Sequence, residues 1–323
     1  MKKLLQTTAI AVSMLVPMQA LAADQVSLLL NWYLGGLHTP FYLGVENGCY
    51  ADQDVELTIN EGRGSGRAVQ VIAAEGDTFG MSDAGSLMLG AAKGAPIKAV
   101  MSLLNTSGFS IISLKSAGIE TVEDLEGKTL AVSPGDALTQ LFPAVIAAND
   151  LDADAIELVF MDPPAKPVAV MEGQVDALLG GIDDQFHLIQ AQGHEAAGLR
   201  FADLGVNTVG MTIHAHDDTI AEQPDMVRRF VAGTVCAWEA AKADPEAAVE
   251  AALAVKPDLD RQSTLDQLET DIGLLASPAT EGEPIGYGAE EDWQRTLELL
   301  VEYRDLETDR EAASFYTNEF LPE

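Results

Sequence analysis

The chain has 323 residues and a mass of 34.2 kDa, with 47% hydrophobic and 21% charged residues. That apolar content supports a substantial core and the length suits two domains, which excludes general disorder and a small disulfide-stapled fold. Asp and Glu number 51 against 18 Lys and Arg, a formal net charge of -33 that repels nucleic acid and anionic lipid and excludes a nucleic-acid-binding role.

The first residues read as an export signal. Lys2 and Lys3 form a positive start, Leu4 to Val16 is an apolar stretch, Pro17 breaks it, and Ala20-Leu21-Ala22 offers small residues for cleavage. The pattern predicts a signal peptide over 1–22 and a mature protein in the periplasm. No cysteine stands at the cleavage point, so a soluble form is expected rather than a lipid-anchored one. No later window approaches the roughly 20 apolar residues of a membrane span.

Beyond that point strands and helices alternate every ten to fifteen residues, the pattern of an α/β domain. Val26 to Leu30 is a nearly continuous apolar run, as in a buried parallel strand, and the helix from Phe41 to Asn47 ends at Gly48. Strands follow at Val55–Ile59, Thr78–Met81 and Ile97–Leu103, with helices at Arg67–Ala74 and Leu87–Ala92 between them. The pattern then restarts. Strands are expected at Ser110–Leu114, Lys128–Val132, Ile156–Phe160, Val175–Leu179 and Val209–Ile213, with helices from Asp136 to Ala148, at Pro167–Glu172 and at Gln185–Gln192. From Pro224 long helices dominate: Met226–Ala243, Pro245–Val255, Ser263–Leu275 and Glu290–Tyr303, with Asp244 and Asp258 as caps. This predicts two parallel-sheet lobes with crossings near 105–110 and 210–215. Lobe one takes 23–108 with 215–323, lobe two takes 109–214, and the C-terminal helices pack back onto lobe one.

Loops at the carboxyl ends of parallel strands are where open α/β sheets bind ligands, and four such loops carry suitable side chains. The first, Asn31 to Pro40, brings Asn31, Trp32, Tyr33 and His38 together with two glycines; aromatic faces are good platforms for a small planar solute. Asp83, Asp136 and the pair Asp183-Asp184 with Gln185 follow later strands. Asp83 also suits a plain helix N-cap. If these carboxylates face one cleft, the ligand should be cationic or rich in N–H donors, because they would repel an anion.

Catalytic and metal signals are thin. Gly62, Gly64 and Gly66 lack the dinucleotide spacing, and there is no serine elbow, Cys-x-x-Cys or His-Glu-x-x-His. His214 and His216, two apart beside Asp217 and Asp218, read as a solvated hinge or loop more readily than as metal ligands. Cys49 and Cys236 either bridge or lie as two buried thiols. No catalytic residue, metal or cofactor is expected.

Taken together, several stretches resemble one family: Asn31-Trp32 with His38, Tyr42 to Tyr50, Ser82-Asp83-Ala84, Val122 to Lys128, Val132 to Asp136, Gly173 to Ala177, and Thr317 to Pro322. The chain is similar to periplasmic solute-binding proteins of ABC transporters in the NMT1/THI5-like branch, over nearly all of its mature length. The resemblance implies a type II two-lobed periplasmic binding fold, a monomer that clamps a small molecule and delivers it to a membrane permease driven by a cytoplasmic ATPase. It implies ligands among thiamine-pyrimidine precursors, riboflavin-like heterocycles, nitrate, taurine and alkanesulfonates. The first loop looks most like that of the pyrimidine-precursor binders, which makes Trp32, Tyr33, His38 and Asp83 contact residues, with Phe109 and Tyr287 as further ring contacts by position. A small planar amino-bearing heterocycle is therefore the leading expectation. Taurine, an alkanesulfonate or another small polar solute is the alternative. Arginines Arg63 or Arg67 pointing into the cleft would favour an anion. The fungal pyrimidine synthases of the same superfamily carry a cysteine-rich motif absent here, so synthase activity is not expected.

Overall fold

The computed structural model describes residues 23–134 and 136–322, so the segment read as a signal peptide lies outside the described residues. Among the described residues, ten strands and eleven α-helices follow in chain order. The first part runs β1 (Asp24–Leu29), α1 (Thr39–Glu46), β2 (Val55–Asn60), α2 (Ser65–Ala73), β3 (Phe79–Asp83), α3 (Ala84–Ala92) and β4 (Ile97–Ser102). The middle runs β5 (Phe109–Leu114), β6 (Thr129–Val132), α4 (Ala137–Ala148), β7 (Glu157–Phe160), α5 (Ala165–Met171), β8 (Ala177–Gly181), α6 (Gln185–Ala191) and β9 (Ala196–Arg200). The chain ends through β10 (Met211–His216), α7 (Asp217–Glu222), α8 (Pro224–Ala243), α9 (Pro245–Val255), α10 (Arg261–Leu274) and α11 (Glu290–Tyr303).

The strands form two five-stranded sheets, ordered β2-β1-β3-β10-β4 and β7-β6-β8-β5-β9. Both are mixed rather than wholly parallel. In the first sheet β10 runs antiparallel between β3 and β4, and in the second β5 runs antiparallel between β8 and β9. Two expectations change as a result. The strand near 209–213 completes the first sheet and not the second, so the return crossing spans roughly 201–210. The strand that fills its expected place is β9, whose Ala-Ala-Gly-Leu-Arg sequence has no apolar alternation. The outward crossing, between β4 and β5, matches the expected position. The two crossings are tied side by side, Leu104 N–H to Met211 O at 2.9 Å and Gly210 N–H to Leu104 O at 2.8 Å.

The first lobe closes over a core in which Phe79 and Phe230 stack with ring centroids 3.8 Å apart and Trp238 lies fully buried against Phe41. Cys49, just past α1, is disulfide-bonded to Cys236 of α8 with Cα atoms 5.7 Å apart, which resolves the thiol alternatives. Asp244 caps α9 by accepting from Ala247 N–H. The cap of α10 is Asp260, which accepts from Ser263 N–H at 2.8 Å, and not Asp258. The last two helices do more than pack on lobe one. Leu299 and Tyr303 of α11 join the core of lobe two, and α10 rests on α6 as well as on the first-lobe loop at Gly36–His38. The C-terminal helices therefore span both lobes and leave a cleft between the two sets of strand ends. His214 and His216 are not in a solvated loop: both are buried in β10, because that strand is interior to its sheet. His214 shares a hydrogen bond with Ser82 Oγ at 3.2 Å, and burial lowers its pKa to about 3.

Candidate functional site

A cavity of about 360 Å³ lies between the lobes at the carboxyl ends of β1, β3, β6 and β8. A wider mouth of about 880 Å³ opens from it past Asp83, Phe109 and Asp136 toward Arg304. Parallel strands bring their following loops to this end of a sheet, so the position follows from the topology.

The first wall is the loop after β1. Its backbone is tied to the loop after β2, Gly64 N–H to Asn31 O at 2.7 Å and Gly62 N–H to Trp32 O at 3.1 Å. His38 Nδ1 accepts from Gly35 N–H at 3.2 Å, so its ring proton sits on Nε2 and is donated to Asn31 Oδ1 at 2.8 Å. Burial lowers the His38 pKa to about 4, against the opposing pull of Glu61, and the imidazole stays neutral. His38 thus positions Asn31, whose amide NH2 remains available to the cavity. Gly36 allows this loop to lie on α10, where a Cβ would strike Gln267 and the Leu268 backbone; its N–H donates to Gln267 Oε1 at 2.9 Å. Trp32 and Tyr33 are 44% and 45% exposed, edge to face at 5.4 Å. Rings so open are not holding a core together.

The aspartates divide into two groups. Asp83 caps α3, accepting from Ser86 N–H at 2.8 Å and Ser86 Oγ at 2.6 Å. Asp136 caps α4 through Thr139 N–H at 2.6 Å, and its other oxygen faces Lys166 Nζ at 3.5 Å. Both line the cavity, but their oxygens are largely used in capping. Asp183 and Asp184, after β8, are different. Asp183 lies over Gly108 and Gly181, where a Cβ at either position would approach its Oδ1 to 2.5 Å. Burial, and then the neighbouring Asp183, pushes the Asp184 carboxyl up to about 6 despite the opposing charge of Lys166. Gln185 holds this loop, accepting from Gly181 N–H at 2.9 Å while donating to Asp184 at 3.2 Å.

Nine of the ten expected contact residues line this cavity, Asn31, Trp32, Tyr33, His38, Asp83, Phe109, Asp136, Asp183 and Gln185. Tyr287 does not. Its carbonyl accepts from Asn105 Nδ2 at 2.9 Å and the adjacent Gly286 pairs with Ser102 at the edge of the first sheet, which holds the ring away from the cleft. Sequence reasoning missed Lys166, Gln267 and Asp271, all of which line the cavity. Lys166 is 2% exposed and donates to Leu179 O at 2.6 Å. Arg63 and Arg67 face a separate hollow beside Glu61 and Asp77, not the cleft. Among the described residues no group of three His, Cys, Asp or Glu side chains is placed to hold a metal ion.

Two α/β lobes, paired crossings and a polar and aromatic cavity between facing strand ends define a periplasmic-type solute-binding fold. The family model described as NMT1/THI5 like matches residues 36–248, and the chain belongs to that family. The riboflavin-binding protein RibY of Chloroflexus aurantiacus is 25% identical over 309 residues, covering 93% of this chain and 86% of that protein. The 4-amino-5-hydroxymethyl-2-methylpyrimidine phosphate synthase of Legionella pneumophila is 23% identical over 303 residues, 93% of each chain. Among solved structures, the periplasmic aliphatic sulphonate binding protein SsuA of Escherichia coli superposes with a TM-score of 0.71 at 15% identity, over 90% of this chain and 91% of that one. Placement outside the cytoplasm accords with this family and fold, and membership implies a cognate ABC permease and ATPase.

Proposed function

We propose that the protein captures a small, planar, amino-bearing heterocycle, such as a pyrimidine, and presents it to the permease of an ABC importer. The observation that carries this reading is the pairing of walls: exposed Trp32 and Tyr33 on one side, Asp183 and Asp184 on the other. Rings stack on the first, and N–H donors satisfy the second. Asn31, with its carbonyl oxygen already bonded to His38, adds one fixed donor for a ring nitrogen or carbonyl. The relatives named for riboflavin and for an aminopyrimidine phosphate support a heterocyclic solute. Cys49 and Cys236 are joined to each other, so the chain offers no free thiol for chemistry on that solute. Movement of the lobes about 103–108 and 201–210 would close the cleft and shed water from these contacts.

The second reading, an alkanesulfonate or taurine, is favoured by the solved alkanesulfonate- and aliphatic-sulphonate-binding neighbours and by Lys166 in the wall. Those neighbours, at 16% and 15% identity, carry the fold, and the inward groups here are mostly carboxylates while Arg63 and Arg67 turn elsewhere. Native mass spectrometry of protein taken from its own compartment tests the choice. A retained nitrogen heterocycle supports the first reading, and a retained sulfonic acid overturns it.

A further inference from the structure

Asp271 stands apart from the other carboxylates among the described residues. It lies on α10 one helical turn beyond Gln267, so the two share a face, and both line the cavity between the lobes. Its exposure is 0%, and neither carboxylate oxygen has a hydrogen-bond partner among the described residues. Burial, then the nearby Asp183 and Asp184, raises its pKa well above the usual carboxylate range. A buried carboxyl without partners is costly to fold, and a structural role would be met better by an apolar side chain of similar size. The helix itself is well fixed here. Gln267 accepts from Gly36, Thr270 Oγ1 meets His187 Nε2 at 2.7 Å, and the Leu274 carbonyl accepts from Thr106 N–H at 3.1 Å. Asp271 is therefore held in place by groups that leave both of its own oxygens free.

We infer that Asp271 is the specificity-determining counter-ion for a positively charged group of the solute, and that the solute class is a small aromatic cation with two adjacent N–H donors. This rests on the heterocycle reading above and narrows it. A cation seated against Asp271 favours its ionised form, whose two free oxygens match two parallel N–H donors, as on an amidinium or a protonated amino-substituted ring nitrogen. A neutral ring with a single amino group would satisfy only one of them. Asp183 and Asp184 add negative potential on the same side, so a full positive charge is favoured over a neutral donor. An anion would meet three carboxyl groups at that end of the cavity.

Three probes of one shape test this: benzamidine, a permanent cation at neutral pH; benzamide, its neutral near-isostere; and benzenesulfonate, an anion. Each is titrated calorimetrically into the wild-type protein, Asp271→Asn and Trp32→Ala. The wild-type protein should bind benzamidine roughly tenfold or more tightly than benzamide, the range of charge-assisted against neutral hydrogen bonds, with benzenesulfonate weakest. Asp271→Asn should bring the benzamidine-to-benzamide ratio close to one and should melt no lower than wild type, because it removes a buried unpaired acid. Equal binding of benzamidine and benzamide by the wild-type protein overturns the inference, as does a ratio that survives in Asp271→Asn. If Trp32→Ala still weakens both rings in those cases, the heterocycle reading stands alone. Preferred binding of benzenesulfonate, or no binding of any ring at millimolar concentration, overturns both.

Discussion

Replacing Trp32 by alanine isolates the ring platform from the fold. A tryptophan side chain offers up to ~250 Å² of surface. With 44% of Trp32 exposed, about 110 Å² is left for a solute to cover. At ~25 cal/mol per Å², full coverage contributes about 2.7 kcal/mol, on the order of a hundredfold in Kd. Half coverage gives roughly tenfold. The other two tryptophans, Trp238 and Trp293, are fully buried and do not face the cleft, so they leave this comparison undisturbed. The loop itself is held by Asn31, His38, Glu61 and Gly64 through bonds that do not involve the indole, including Leu34 N–H to Glu61 at 3.1 Å. Stability should therefore fall by only about 1 kcal/mol, a Tm shift of ~2–4 °C. The assay is calorimetric titration of wild type and Trp32→Ala with 4-aminopyrimidine, alongside thermal melting of both without ligand. A Tm lowered by more than ~10 °C with near-normal affinity would refute the platform and make Trp32 a packing residue.

Asp184→Asn tests the acidic wall through pH. Its carboxyl titrates at about 6 in the fold and near 3.9 when unfolded, so wild type loses stability as pH rises between those values. The variant should melt above wild type at pH 7–8 and converge with it below about pH 4; parallel melting curves over that range would count against the buried acid. Cys49→Ala with Cys236→Ala opens a cross-link between residues 187 apart, which should cost about 2–5 kcal/mol and lower Tm by roughly 5–15 °C, read by differential scanning calorimetry. An unchanged melt would show that the bridge contributes nothing. Small-angle scattering with and without saturating solute should show a smaller radius of gyration in the bound form, and an identical radius would argue against a closing clamp.

Much of this architecture is legible in the sequence because its signals are local. The apolar run at Val26–Leu30 can only be buried on both faces, and Asp83 and Asp136 announce helix starts that the structure confirms as caps. The carboxyl-end loops follow from strand order alone, which is why Asn31, Trp32 and Asp183 were accessible to reasoning. What stayed hidden is non-local. The position of β10 inside the first sheet depends on the chain returning across the lobes, and no pattern within Met211–His216 encodes that. Tyr287 is expected at the cleft only from its position in the family resemblance, and Asn105 and Ser102 hold its segment at a sheet edge. Asp271 is the clearest case. On α10 it sits among Asp266, Gln267, Glu269 and Thr270, a polar run that reads as a solvated face, and only the packing of α10 on the Gly36 loop and on α6 buries it. Lys166 is similar: a lysine near a helix start normally faces water, and here the Leu179 carbonyl and Asp136 draw it inward.

Selection of an amino-bearing ring over an anionic solute is tested directly by one calorimetric comparison. The wild-type protein is titrated with 4-aminopyrimidine and, in the same buffer, with taurine. Saturable one-to-one heat with the aminopyrimidine and none with taurine is the predicted result. Saturable binding of taurine with no response to the aminopyrimidine would contradict it.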